Sequence, residues 1–267
     1  MKFGSLMLAL AMAAFPACAE TNLERGKHVV DEALQALGGE SYLQMQDRIE
    51  TGRAYSFYRD KLNGLSIAKI YTRYLTRPEP PVPAYMGVRE RQAFGKKQET
   101  AVIFGENDGY DISFRGARPL PDNTLERFKE STLRNVLYIL RMRLGEPGLI
   151  FESRGADVVE NQSVDIVDIT DADNRVVTVY FSKVEHLPLK QVTYRRDLLT
   201  KDRVEEVTRF TKYRDVGGGV MWPFDIQRER DGEKIYQMFS DSVVVNKGLT
   251  DALFTLPANM KILKKPK

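Results

Sequence analysis

Between residues 164 and 245 the chain consists of six short runs rich in β-branched and aromatic residues, at 164–169, 176–181, 189–195, 204–213, 220–228 and 235–245. Turn residues separate them: Asp171-Ala172-Asp173-Asn174, His186-Leu187-Pro188, Leu199-Thr200-Lys201-Asp202, Gly217-Gly218-Gly219 and Asp231-Gly232. Parallel neighbours would need crossovers of about a dozen residues or more, so connections this short predict an antiparallel meander. Earlier runs at 49–57, 67–75, 98–104 and 109–114 bring the total to about ten strands. Asn63-Gly64 reads as the hairpin turn of the first pair, and Glu106-Asn107-Asp108-Gly109 as the turn of the last. The four prolines of Arg77-Pro78-Glu79-Pro80-Pro81-Val82-Pro83 remove ladder donors and predict an edge loop between strands.

A sheet of that size must hide an apolar face on something. Two segments have helical spacing. In the first, Leu23, Val30, Ala33, Leu34 and Leu37 recur every three to four residues up to Gly38-Gly39, and a short turn through Tyr42, Leu43 and Met45 follows. In the second, 124–144, Leu125, Phe128, Thr132, Val136, Ile139 and Leu140 follow one face and Leu133, Leu137 and Leu144 broaden it, until Gly145, Pro147 and Gly148 stop the helix. The expected fold is α+β and mainly β: one curved antiparallel sheet, an incomplete β-barrel, with helices covering its concave face. Residues 20–267 are expected to form a single domain.

The first nineteen residues read differently. Lys2 supplies a positive charge, 5–15 are an apolar run, and Ala17-Cys18-Ala19 offers small residues at a cleavage site, the pattern of a secretory signal peptide. Cleavage after Ala19 would export a periplasmic protein without a cysteine; the alternative is a lipoprotein anchored through Cys18. With 42% hydrophobic and 29% charged residues the chain is too polar for a multi-span membrane protein. The 40 basic and 37 acidic residues are interleaved, so no nucleic-acid partner is expected.

Signals for chemistry are sparse. The two histidines, His28 and His186, fall in the first helix and at a turn, which offers no metal set and no Cys-His pair. Asp168, Asp171 and Asp173 lack the Gly and Glu of a calcium loop and read as a hairpin turn. Glu205 and Glu206, adjacent on a strand, point to opposite faces. The expectation is a non-enzymatic protein without catalytic residues, metal or cofactor.

The carboxy-terminal strands carry a resemblance. Phe210 and Tyr213 close one strand, Gly217-Gly218-Gly219 turns, Met221-Trp222-Pro223-Phe224 opens the next, and Asn246, Gly248-Leu249 and Phe254-Thr255-Leu256-Pro257 end the pattern. The earlier Tyr180-Phe181 ahead of His186-Leu187-Pro188-Leu189-Lys190 belongs with it. This series resembles the LolA-like periplasmic family of outer-membrane lipoprotein-sorting and lipid carriers. The resemblance implies an incomplete barrel whose cavity accepts acyl chains of lipids or lipoproteins, with an inner-membrane transporter or outer-membrane acceptor as further partners and a monomer as the working unit. Alternating apolar positions supply the candidate lining: Tyr55, Phe57, Phe104, Val179, Phe181, Val192, Tyr194, Val220, Trp222, Phe224 and Ile226, with Leu137 and Leu140 from the second helix. Arg141 is the candidate cavity-mouth residue, able to donate to an ester carbonyl or a lipid phosphate. The alternative function is an envelope interaction module that holds a partner peptide in the same half-barrel.

Overall fold

A computed structural model describes residues 20–196 and 200–265; residues 1–19, where a signal peptide is expected, lie outside the described residues. Thirteen strands form one antiparallel sheet: β1 (Asp47–Tyr58), β2 (Lys61–Tyr74), β3 (Val88–Phe94), β4 (Thr100–Phe104), β5 (Gly109–Ser113), β6 (Gly116–Pro119), β7 (Ile150–Val159), β8 (Gln162–Thr170), β9 (Val176–Ser182), β10 (Pro188–Arg196), β11 (Arg203–Asp215), β12 (Met221–Arg230) and β13 (Glu233–Val245). Their order is β6-β5-β4-β3-β2-β1-β13-β12-β11-β10-β9-β8-β7, so the sheet is open, with β6 and β7 as its edges. The first strand pairs with the last, from Arg48 opposite Val245 to Ser56 opposite Tyr236, and this seam joins two meanders into one surface.

The three strands beyond the expected ten are β3, β6 and β7. On β3 the inward positions carry Glu90 and Gln92, so apolar alternation is missing. β6 has only four residues, and β7 is an edge strand interrupted by a bulge between Ser153 and Gly155. The first hairpin turns at Arg59-Asp60 and not at Asn63-Gly64. Both turn residues have positive φ, 50° and 59°, and Asp60 Oδ1 accepts from the Lys234 N–H at 2.8 Å, so a neighbouring hairpin fixes the register.

Helix α1 (Asn22–Ala36) starts at a capping box in which Thr21 accepts from the Glu24 N–H while the Glu24 carboxylate accepts from the Thr21 N–H. It lies on β7 so closely that a Cβ on Gly26 would stand 2.6 Å from the Phe151 carbonyl oxygen. The short α2 (Glu40–Leu43) follows. Val30, Ala33, Leu37, Tyr42 and Met45 meet Val167, Val179, Phe181 and Phe210 of the sheet in the main core.

The second helical segment is not continuous. Helix α3 (Asp122–Leu133) stops, and a short α4 (Val136–Tyr138) runs into a π-helical turn, Ile139–Arg143. Asn135 is extended and its Oδ1 accepts from the Leu137 N–H at 2.9 Å, restarting the helix as an N-cap. Gln191 on β10 holds the break from below, accepting from the Val136 N–H at 2.8 Å and donating to the Arg134 carbonyl at 3.2 Å. Residues 136–143 are all buried, whereas Leu133 is the buried residue of α3.

After β13 the chain returns across the face opposite the helices. Phe254, on a 3-10 turn (Asp251–Phe254), packs with Tyr71, Ala93, Ala101, Ile103, Ile112 and Ala117 in a second core, and Ile262 pairs with the edge residue Ala117. Asp47 anchors this tail. It is 2% exposed, and its carboxylate accepts from the N–H groups of Lys247 (2.7 Å), Gly248 (2.8 Å) and Leu249 (3.0 Å). Asp47→Ala would leave these donors without their acceptor, and we expect urea unfolding to show a loss of about 2–4 kcal/mol. Unchanged stability would mean that the tail is not fastened there.

Candidate functional site

The helices cover the sheet unequally. Over β7 to β11, α1, α2 and α4 pack down into the main core, but over β1 to β4 and the ends of β11 to β13 the roof is α3, whose underside does not fill the space. A cavity of about 240 Å³ opens there, lined by Arg48, Glu50, Ile70, Thr72, Tyr74, Val88, Glu90, Gln92 and Phe94 from β1 to β3, by Trp222, Ile226, Arg228, Tyr236 and Met238 from β12 and β13, and by Phe128, Leu137 and Tyr138 above. A neighbouring cavity of about 340 Å³ is lined by Phe104, Thr124, Arg127, Gln191, Thr193, Glu206 and Thr208. Both include Gln92, Phe128, Ser131, Asn135 and Arg228, so they are two lobes of one cleft. Phe128 hangs between them and stacks on Phe104 with ring centroids 3.9 Å apart.

One end of the first lobe is strongly polar. Arg48, 7% exposed, pairs with Glu50, donates from Nη2 to the Thr72 hydroxyl at 2.9 Å and lies over the Trp222 ring, 4.0 Å from its centroid. The Ser240 hydroxyl donates to Glu50; Thr72 and Gln92 donate to Glu90 at 3.3 Å and 2.6 Å. Burial works against the charge of Arg48, but Glu50, Tyr74 and Glu90 outweigh it and raise the guanidinium pKa, so the group stays charged in place. At the far end, burial pushes the Tyr236 hydroxyl up to about 12, which keeps it neutral. Ile70, Phe94, Ile226 and Met238 lie between. The cleft is amphipathic.

The candidate lining residues divide three ways. Leu137, Trp222 and Ile226 line the first lobe and Phe104 the second. Val179, Phe181, Val220, Phe224 and Leu140 are packed in the main core beneath the helices. Tyr55, Phe57, Val192 and Tyr194 stand on the opposite face: Tyr55 meets Phe239 edge-on, Phe57 lies under Lys234, and Val192 and Tyr194 border a shallow surface groove with Thr178, Tyr180 and Lys190. Sequence reasoning did not single out Arg48, Glu50, Glu90, Gln92 or Phe128. Phe128 carried a helical signal; the four polar residues sit at inward positions where alternation leads one to look for apolar side chains.

Arg141 is buried under the π turn, 6% exposed. Its Nε and Nη2 donate to the Met45 carbonyl at 3.0 Å and 2.6 Å, and its guanidinium lies over Tyr74 at 5.0 Å, so it ties the helical layer to the end of α2. It borders a separate pocket with Gln46, Arg73 and Thr76. Arg143 is also buried and forms an ion-pair network with Glu146 (2.6 Å) and Asp171 (2.8 Å), which Arg175 joins at 3.0 Å from Asp171. The Asp171 backbone turn is thus a structural junction. No cluster of His, Cys, Asp and Glu able to hold a metal is found among the described residues, and none of their helices is long and apolar enough to cross a membrane.

Burial raises the Asp171 pKa, but hydrogen bonds from Arg143 and Arg175 outweigh it and hold the carboxyl below the usual aspartate range. A carboxyl depressed in the folded state contributes stability above its unfolded pKa and loses it as pH falls through the folded one. Asp171→Asn is therefore expected to destabilise by a constant amount above about pH 5, with the gap to wild type closing below about pH 4. Denaturant titrations at several pH values check this; a gap that widens in acid would refute the assignment.

No family model matches the sequence, and no curated protein does either. Solved structures do match. A DUF1329 family protein from Desulfovibrio piger is 14% identical, with 88% of this chain and 98% of that one covered at a TM-score of 0.59. A domain named for outer membrane lipoprotein sorting, from Vibrio parahaemolyticus, is 12% identical over 86% and 97% at 0.57. The LolA superfamily protein NE2245 from Nitrosomonas europaea is 10% identical over 86% and 97% at 0.51. At these identities the likeness is one of fold: an open antiparallel sheet with helices on one face, of the LolA-like kind.

Proposed function

We propose that this protein is a non-enzymatic periplasmic carrier that holds the acyl chains of lipids or lipoproteins in the cleft beneath α3 during transfer towards the outer membrane. The observation that carries the reading is the cleft itself: an opening between one roof helix and an unclosed sheet, with apolar walls and polar ends. An acyl chain exposed to water costs about 0.8 kcal/mol per CH₂, so a molecule that crosses an aqueous compartment needs such a shelter. An open sheet offers it without unpaired backbone at the cavity wall. The lipoprotein-sorting name of one fold neighbour supports the same class of cargo. In this reading the segment at 1–19 is removed after Ala19, with Cys18 lipidation as the alternative anchor. The carrier works as a monomer without cofactor, and receives from or delivers to membrane partners at the two ends of its route.

A second reading has its own support. Gln92, Asn135, Thr193 and Thr208 place amide and hydroxyl groups along the cleft, which suits a bound peptide backbone. Native mass spectrometry of protein purified from periplasm without detergent separates the two: the carrier should bring near-stoichiometric acyl lipid, a peptide holder none. Ile226→Glu, which puts a carboxylate into the first lobe, is expected to weaken binding of a fluorescent fatty-acid probe at least about tenfold. Phe114→Ser, at a residue 91% exposed outside both lobes, should bind like wild type. A clean apo mass together with no probe uptake would overturn the carrier reading.

A further inference from the structure

Two buried donors in the first lobe lack acceptors. Arg48 has a side chain 8% exposed, and its guanidinium serves Glu50, Thr72 and the Tyr74 hydroxyl, but its Nε–H meets no partner. Trp222 is 4% exposed, and its indole N–H is likewise unmatched. The two side chains are in contact, with the guanidinium stacked on the indole ring, and both line the cavity. Buried N–H groups are nearly always satisfied in folded proteins, and an indole can only donate. Two unmatched donors side by side at a cavity wall therefore call for an oxygen acceptor brought in from outside.

The surroundings select which acceptor. The charge of Arg48 is already balanced by Glu50, and the other two charged residues of the lining, Glu90 and Arg228, offset each other, so the lobe has no net positive charge to hold a phosphate or free carboxylate. Both carboxylates are engaged by protein donors, Glu50 by Arg48 and Ser240 and Glu90 by Thr72 and Gln92, so neither serves the two orphans. A neutral carbonyl oxygen satisfies them and needs no such charge. Next along the cavity come Ile70, Ile226, Met238 and Leu137, which offer nothing to an amide N–H but suit a hydrocarbon chain.

Resting on the carrier reading, we infer that Arg48 and Trp222 form a subsite for the carbonyl oxygen of an acyl ester, with the chain running from it along the apolar wall. The subsite makes the protein read the linkage as well as the chain. Removal of the carbonyl leaves the buried donors unmatched again in the complex, and such a site discriminates against the analogue that lacks the bonding group.

The test uses two ligands that differ by that group alone: a monoacylglycerol, and the alkylglycerol ether with the same headgroup and chain length. Trp222 is the sole tryptophan of the chain, so its emission reports on the lobe directly, and calorimetry supplies affinities for every variant. We expect the ester to bind roughly tenfold tighter than the ether and to shift the indole emission more. In Trp222→Phe and in Arg48→Met the ester-to-ether ratio should fall towards one; the first keeps an aromatic ring at the site, should Arg48→Met leave Glu50 too costly to fold. Equal binding of ester and ether by wild type would overturn the subsite while the carrier reading stands. Binding of neither ligand would overturn both. A diacylglyceryl-cysteinyl peptide run beside the corresponding diacylglycerol tells the two ester sources apart: a preference for the peptide supports the subsite with lipoprotein as donor, and equal affinity supports it with free lipid.

Discussion

A single-layer sheet of thirteen strands has two faces to shield, and this chain spends only short helices on the task. That imbalance governs the architecture. Helices α1, α2 and α4 seal one half of one face into a dry core, and the carboxy-terminal tail covers part of the other face around Phe254. What remains is the stretch over β1 to β4 and the ends of β11 to β13, where α3 bridges without filling. A closed barrel would have no such gap, and a fully covered sheet would have a core in its place. The cleft follows from the ratio of sheet to helix in the sequence.

The buried polar groups in this gap are not there for stability. Arg48 and Glu50 sit two residues apart on β1 with both side chains buried, and apolar residues of similar volume often hold strands at least as well as such a pair. The pair does position Arg48 flat on Trp222 and hold Thr72 and Glu90 in register with it across β1, β2 and β3. The same strands supply Ile70 two residues beyond Thr72 and Phe94 four residues beyond Glu90, so polar and apolar walls are set by a single register. A slip of one residue would send both to the opposite face. The polar-to-apolar division of the cleft is therefore built into strand pairing.

Much of this was legible in the sequence. The meander from β8 to β13, the first helix with its stop at Gly38-Gly39, and the series from Tyr213 through Trp222 to Phe254 led to an open sheet with helices on one face, which is what the fold shows. The cleft was less legible, for a physical reason. Alternation tells which residues share a face but not which face is inside, and the usual rule that the apolar set points inward fails where the inner surface is polar. On β10 the inward residues are Gln191 and Thr193, so the apolar Val192 and Tyr194 lie outside. On β3, Glu90 and Gln92 concealed the strand altogether. The break at Asn135 was hidden too, because Leu133, Val136 and Leu137 continue a helical stripe across it; the amide that could have marked a new N-cap was outweighed by its neighbours.

That break separates two helical pieces with unlike attachments. The later piece, 136–143, is buried on all sides and carries the Tyr42 hydroxyl on the Leu137 carbonyl at 2.6 Å and Arg141 on Met45, so it cannot leave without opening the main core. Helix α3 holds on by Leu133, the Phe128–Phe104 stack and surface ion pairs such as Arg175 with Glu130. Local stability in a folded protein tracks such contacts, and α3 has fewer of them than the layer it continues into. Gln191 pins the junction from β10 by bonding both sides of the break. The roof of the cleft is thereby its least buried wall, set over a floor that is one continuous hydrogen-bonded sheet.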